Sequence, residues 1–243
     1  MFGKFELNNI YNEDSYKAIK DLDNSDNYII VTDPPFNINF KYNEYKDKLN
    51  EQTFYNNLSN LLKNKKCVVI MYPEMLHKLS IYLGYPPVKV ISWVYNSHLP
   101  REHRDIAFYN IKPDFNLIKQ PYKNLNDKRI IKMINKGSKG TNIYDWWKIE
   151  QVKNVSHEKY NHPCQMPLQV MKNIINILPK DKIIIEPFLG TGTTCAAAKE
   201  LNRNYIGFEI DKFYYKIASD RLNGITANGQ TSIFTDFEEL NNE

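Results

Sequence analysis

Three cysteines, Cys67, Cys164 and Cys195, are scattered along 243 residues with no metal-ligand spacing between them. That excludes a zinc ribbon and a disulfide-stapled scaffold. An odd count without a secretion signal points to a reducing compartment. No apolar run approaches the roughly 20 residues a bilayer-spanning helix needs. The opening "MFGKFELNNIYNED" also lacks an apolar leader. We therefore expect a soluble, cytoplasmic protein. His77, His98 and His157 have no partner spacing, so no metal is expected. Neither sign of charge dominates: 32 Lys and Arg against 28 Asp and Glu leave +4. This excludes a histone-like binder but permits a polyanion partner. No internal repeat or low-complexity segment is present.

What the chain does contain is alternation. Apolar residues make up 42% of it, enough for a sizeable core. "NYIIVT", "KCVVIMY", "VKVISWVY" and "DIAFYNI" read as strands. "EQTFYNNLSNLLK" places Phe54, Leu58, Leu61 and Leu62 on one helical face, and "PEMLHKLSIYLG" runs from Pro73 at its first turn to Gly84 at its end. "KFELNNIY" reads as a further strand and "SYKAIKDL" as a helix. The pattern predicts a doubly wound, mostly parallel α/β sheet. It breaks near residue 111, and residues 111–158 are polar, lysine-containing and irregular. A long irregular stretch inside a compact domain is functional or mobile. Order returns with the amphipathic "MPLQVMKNIINIL" and a strand–turn–helix–strand. We divide the chain into a first half at 1–110, an insertion at 111–158, a second half at 159–223 and a tail at 224–243.

Two stretches carry chemistry. In "YIIVTDPPFNINF" an apolar strand stops at Asp33-Pro34-Pro35-Phe36. Consecutive prolines donate no ladder hydrogen bonds, so the strand must end there in a stiff turn holding an acid and an aromatic. In "IIIEPFLGTGTTCAAAKEL" a strand ends at Glu186 and turns through Gly190 and Gly192 into a helix. Glycines let the chain turn tightly and let a ligand approach the backbone, and the helix start offers free N–H groups. Glu209 follows the next strand, where an acid can accept both hydroxyls of a ribose. A dinucleotide fingerprint would place a third glycine at Cys195, and a P-loop would place a lysine after the glycines. Neither is there. The site suits a nucleoside-bearing cofactor without a pyrophosphate, such as S-adenosylmethionine.

Together these stretches resemble the permuted, beta-group amino-methyltransferases of DNA. In that family a [DNS]-P-P-[YFW] motif precedes a target-recognition region, and F-x-G-x-G follows it. Here Asp33-Pro34-Pro35-Phe36 comes first, the lysine-rich segment next, and Phe188-Leu189-Gly190-Thr191-Gly192 last. "NEDSYKAIKDL" looks like the family's opening segment, "HPCQMP" like its H-P-T-Q-K-P element and "NRNYIGFEIDKFYYKIASDRL" like its closing one. Cys164 and Met166 depart from H-P-T-Q-K-P, Glu186 replaces the commoner Asp, and Phe36 the commoner Tyr. The resemblance implies a Rossmann-like, circularly permuted sheet of the seven-stranded type, with residues 111–158 as target-recognition region. It implies an enzyme using S-adenosylmethionine, with S-adenosylhomocysteine as product and no metal. Asp14, Glu186, Phe188, Gly190, Gly192, Thr193, Thr194, Glu209, His162 and Cys164 would then border the cofactor.

On this reading Asp33 accepts one N–H of an exocyclic base amine and the Pro34 carbonyl accepts the other. Phe36 stacks on a base flipped out of double-stranded DNA. Asp in the first motif position favours adenine N6 by family resemblance; cytosine N4, or RNA with the same chemistry, is the alternative. A DNA-binding accessory subunit without activity is a reading of another class, disfavoured by the intact Asp33, Glu209 and paired glycines. Arg101, His103, Arg104, Lys128, Arg129, Lys132, Lys136 and Lys139 are placed to neutralise phosphates or read guanine. Taken singly each is an ordinary solvated charge, and Trp146-Trp147 reads as packing. The resemblance also brings a homodimer and a cognate restriction endonuclease into view.

Overall fold

The computed structural model describes residues 1–23, 25–41, 47–97, 101–153, 156 and 158–226. His98, His157 and most of the tail lie outside them. Strand β1 (Asn9–Tyr11) leads into a one-turn helix α1 (Ser15–Ala18), capped by the Asp14 carboxylate. Then come β2 (Tyr28–Thr32), α2 (Glu51–Leu62), β3 (Cys67–Met71), α3 (Pro73–Leu83), β4 (Lys89–Val94) and β5 (His103–Tyr109). The insertion holds β6 (Lys119–Gln120), α4 (Lys128–Asn135), β7 (Thr141–Asn142) and β8 (Trp146–Lys148). The chain closes with α5 (Leu168–Asn176), β9 (Ile183–Glu186), α6 (Thr193–Glu200), β10 (Tyr205–Phe208) and α7 (Lys212–Leu222).

Eight strands form one sheet in the order β1-β10-β9-β2-β3-β5-β4-β8. Only β5 runs against the others, pairing antiparallel with β3 and β4. The central strands are buried on both faces, which explains why they read as continuous apolar runs. Alternate residues feed two cores. Ile29, Val31, Val68 and Ile70 meet α5 and α6 on one face. Tyr28, Ile30, Cys67 and Val69 meet α2 and α3 on the other. Helix α2 starts where the Asn50 side chain accepts from Gln52 N, and α3 runs from Pro73 to Gly84, whose φ is +85°. The α/β architecture expected from the alternation is present, with one strand more than the seven-stranded pattern.

The extra strand comes from the insertion. β8 lies parallel to β4 with Trp147 opposite Trp93, and the Trp93 indole N–H donates to Ile149 O at 2.7 Å. Trp147 is buried in the main core, whereas Trp146 is half exposed and stacks on Tyr144. The stretch expected to be irregular also forms α4. The Asp127 carboxylate caps it by accepting from Arg129 N, and Gly137, at φ +88°, follows its end. None of its side chains is buried. At the other end of the chain the expected strand "KFELNNIY" shortens to β1, because Asn8 sits at φ +62° and turns the backbone before it. The helix expected over "SYKAIKDL" is α1 followed by a 3-10 turn at Ile19–Asp21.

Among the described residues no helix is long and apolar enough to cross a membrane, and no cluster of His, Cys, Asp and Glu could hold a metal ion.

Candidate functional site

β10, β9 and β2 are parallel neighbours, so their C-terminal ends open on one edge of the sheet. Glu209 follows β10, Glu186 ends β9 and Asp33 follows β2. A single cavity of about 260 Å³ runs along this edge, lined by Asp33 at one end and by Glu209 and Asp14 at the other. The two motif stretches that lie far apart in sequence therefore share one pocket.

At the first end Pro34, Pro35 and Phe36 line the wall beside Asp33. Asp33 is engaged on one side only. Its Oδ2 accepts from Arg104 Nη1 at 3.2 Å, while Oδ1 is buried and has no partner among the described residues. Burial pushes the Asp33 carboxyl up to about 6, against the opposing pull of the Arg104 charge. The Phe36 ring lies 5.2 Å from Tyr72, and the Arg104 guanidinium sits 4.9 Å from the Phe36 centroid.

At the second end Glu209 Oε2 accepts from Gly190 N at 2.7 Å and Oε1 from Asp211 N at 2.9 Å. Burial raises this carboxyl to about 7. Gly190 has φ +54°, and a Cβ there would lie 3.5 Å from His162 Nε2, so the turn and the imidazole are in close apposition. His162 packs edge-on against Tyr214, and burial, with the nearby Lys159 charge, lowers it to about 4. Its Nδ1 accepts from Cys164 N at 3.1 Å, and the exposed Cys164 also borders the cavity. Phe188 meets Tyr16 edge to face at 5.7 Å.

Between the two ends Glu186 forms the floor. Oε1 accepts from Thr32 Oγ1 at 2.6 Å and from Phe188 N at 3.0 Å, and Oε2 accepts from Thr194 Oγ1 at 2.7 Å. Complete burial nevertheless raises Glu186 to about 8. Thr193 and Thr194 line the cavity from the start of α6. Gly192 does not border it. At φ +75° it makes the turn into α6 and lies against Ala218, where a Cβ would come within 3.1 Å.

The basic residues separate into two groups. Arg101 and His103 are exposed, Arg101 pairing with Glu74 at 2.8 Å, and Lys128, Arg129, Lys132, Lys136 and Lys139 are exposed on α4 and just beyond it. Arg104 departs from the expectation of a phosphate contact. It is 8% exposed, because in β5 it shares a face with the core residues Ile106 and Phe108. The period-two spacing of 104, 106 and 108 was the sequence signal that could have found this. The Thr32 link to Glu186 and the buttress of Arg221, whose Nη1 donates to Thr193 Oγ1 at 2.7 Å, had no comparable signal.

A family model described as DNA methylase matches residues 28–220. The chain is 28% identical over 260 aligned residues to the type II methyltransferase M.BglII of Bacillus subtilis, covering 92% of this chain and 71% of that one. Among solved structures it is similar to an M1.HpyAVI–SAM complex, at 25% identity and a TM-score of 0.54, covering 87% of this chain and 98% of that one. It shares the fold of PvuII DNA methyltransferase (cytosine-N4-specific), at 15% identity and a TM-score of 0.61 over 98% of this chain and the whole of that one.

Proposed function

The chain belongs to the N6/N4 DNA methylase family, and from that premise we propose that it transfers a methyl group to the N6 amine of an adenine flipped out of double-stranded DNA. The observation that carries the proposal is the unpartnered, buried Asp33 Oδ1 in a cavity continuous with the Glu209 and Gly190 turn.

S-adenosylmethionine is the cofactor, and the residues fit it. Glu209 stands at a strand end where ribose hydroxyls are commonly met, and Asp14 lies at the same end of the cavity. The Gly190 backbone turn and Phe188 bound the space, with neutral His162 packed over the turn. When bound, the cofactor supplies a sulfonium methyl open to in-line attack by an amine.

The protein's own work is positioning. Asp33 Oδ1 accepts one amine N–H and the Pro34 carbonyl accepts the second, which draws the nitrogen lone pair out of conjugation with the ring. Two prolines hold that carbonyl in place at no further entropic cost. Phe36, backed by Tyr72, offers the base a flat face. The buried floor around Glu186 keeps water away from this end of the pocket. The amine loses its proton after it has gained the methyl group, to the Asp33 carboxylate that already accepts its N–H and from there to solvent, so no strong base is required beforehand.

Asp in the first motif position supports adenine over cytosine. The basic, exposed α4 and its flanks support a target-recognition role for residues 111–158. Kinship with the type II methyltransferase M.BglII supports a place in restriction–modification. The test is incubation with unmethylated DNA and labelled cofactor, followed by nucleoside analysis. N6-methyladenine is expected. N4-methylcytosine would move the assignment to the other base, and no methylated nucleoside in the presence of normal cofactor binding would overturn the proposal.

A further inference from the structure

Arg104 is the one cation touching the reaction end of the pocket among the described residues. It enters from the start of β5, opposite Trp93 of β4, and its guanidinium is walled in by Phe36, Tyr72 and Trp93 at 4.9, 5.6 and 5.6 Å. Nη1 also lies 3.5 Å from Met166 Sδ. Arginine and a carboxylate commonly meet through two parallel hydrogen bonds. Here they meet through one. Arg104 Nη1 takes Asp33 Oδ2, while Asp33 Oδ1 and Arg104 Nε stay buried without partners. Leaving a polar atom buried and unpaired is costly, so the open Asp33 Oδ1, on a residue that lines the cavity, marks a place for a donor from a ligand.

We propose that Arg104 is a positioning residue for methyl transfer, pinning the Asp33 carboxylate by one oxygen so that the other stands open to accept the N–H of the target amine. This rests on the amine-transfer reading of the site. The charge matters as much as the contact. The groups facing Asp33 are Arg104, Glu186 at the end of β9 and Cys164 before α5; Asp47 before α2 bears on Cys164, and Tyr72 and Tyr95 surround the guanidinium. Burial disfavours an ionised Asp33, and Arg104 is the counterweight. Without it Asp33 takes up a proton at higher pH and the acceptor is lost.

Two measurements test this: the Asp33 carboxyl carbon followed by NMR titration in cofactor-free protein, and single-turnover methyl transfer between pH 5.5 and 9.5. In R104Q the Asp33 titration and the acid limb of the rate both move to higher pH, with about tenfold loss of rate at pH below the limb for each unit moved. Activity returns in part at alkaline pH, and cofactor affinity stays at the wild-type value. R104K keeps the charge with a different reach, so its titration stays near that of the wild type while transfer slows severalfold. An unmoved Asp33 titration in R104Q overturns the proposal. If R104Q does not fold, wild-type transfer rates in R104K across the pH range overturn it. If no methylated nucleoside forms on any DNA, the functional reading falls instead, and the NMR titration still judges Arg104 on its own.

Discussion

Asp33 sits where burial and a cation pull in opposite directions, and the net result places its ionisation near 6. On the proposed mechanism the reactive form is the carboxylate, so transfer should fall as pH drops through about 6 and be level above it. A pH–rate profile checks this. Asp33→Ala should cost about 10²–10³-fold in transfer rate, the loss typical of removing one charge-stabilising group, while cofactor affinity measured by calorimetry is retained. Glu186 gives a different signature. Its carboxyl, ordinarily at 4.5, is raised to about 8, so between those values the folded protein holds a proton that the unfolded chain has released. Stability from this group is therefore present at acid pH and lost as pH rises toward 8. The raised Asp33 and Glu209 act in the same sense. The melting temperature of the cofactor-free protein should fall from pH 6 to pH 9 at roughly 2–4 °C per kcal/mol. Glu186→Gln, which keeps the shape without the charge, should reduce that slope. An identical slope in the variant would remove Glu186 from the account.

At the scale of elements, helix α4 is amphipathic yet buries nothing. Ile131 and Ile134 are 42% and 40% exposed. Replacing both with Ser should leave thermal stability within about 0.5 kcal/mol per site, as for other surface changes. Changing Lys132 and Lys136 to Glu should weaken DNA binding and flatten its salt dependence, because each phosphate contact contributes about one to the slope. A filter-binding titration at several salt concentrations reads both effects. Strand β10 behaves oppositely. A Cβ on Gly207 would lie 2.7 Å from Leu189 Cδ1 and 2.8 Å from Cys195 Sγ. Gly207→Ala should cost about 1–3 kcal/mol by overpacking, and it should loosen the Gly190 turn with it, seen as weaker cofactor binding. The central strands and helices α2, α3 and α5 were legible in the sequence because their burial is periodic and their caps are local. α4 was missed although Ile130, Ile131, Met133 and Ile134 give it an apolar face, because it is short, is set in a polar stretch and buries none of its residues.

At the scale of the whole molecule, the insertion is a contributor to the sheet. It brings β8 and Trp147 into the main core, and the Lys89–Asp145 pair at 2.7 Å ties its end to β4. Trp147→Ala should therefore cost about 3–5 kcal/mol, the range for emptying a buried aromatic site, although Trp147 does not line the pocket. Denaturant unfolding measures it, and a loss below 1 kcal/mol would mean the insertion folds as an appendage. The candidate site was readable where chemistry and backbone coincide: an acid before two prolines, and glycines before a helix. It was unreadable where the site depends on strand order. Arg104 meets Asp33 only because β5 turns back against β3, and no local pattern records that reversal.

One edge of the sheet has a kinetic consequence. β1 pairs with β10 in parallel, and the Asn12 side chain donates to Glu209 O and Ile210 O. Closing a loop of nearly the whole chain must precede those contacts, and long closures are reached late in folding. The Asp14 and Glu209 end of the pocket is then completed only when β10 docks beside β1. During synthesis a chain that has not yet released β10 would still lack that end of the pocket.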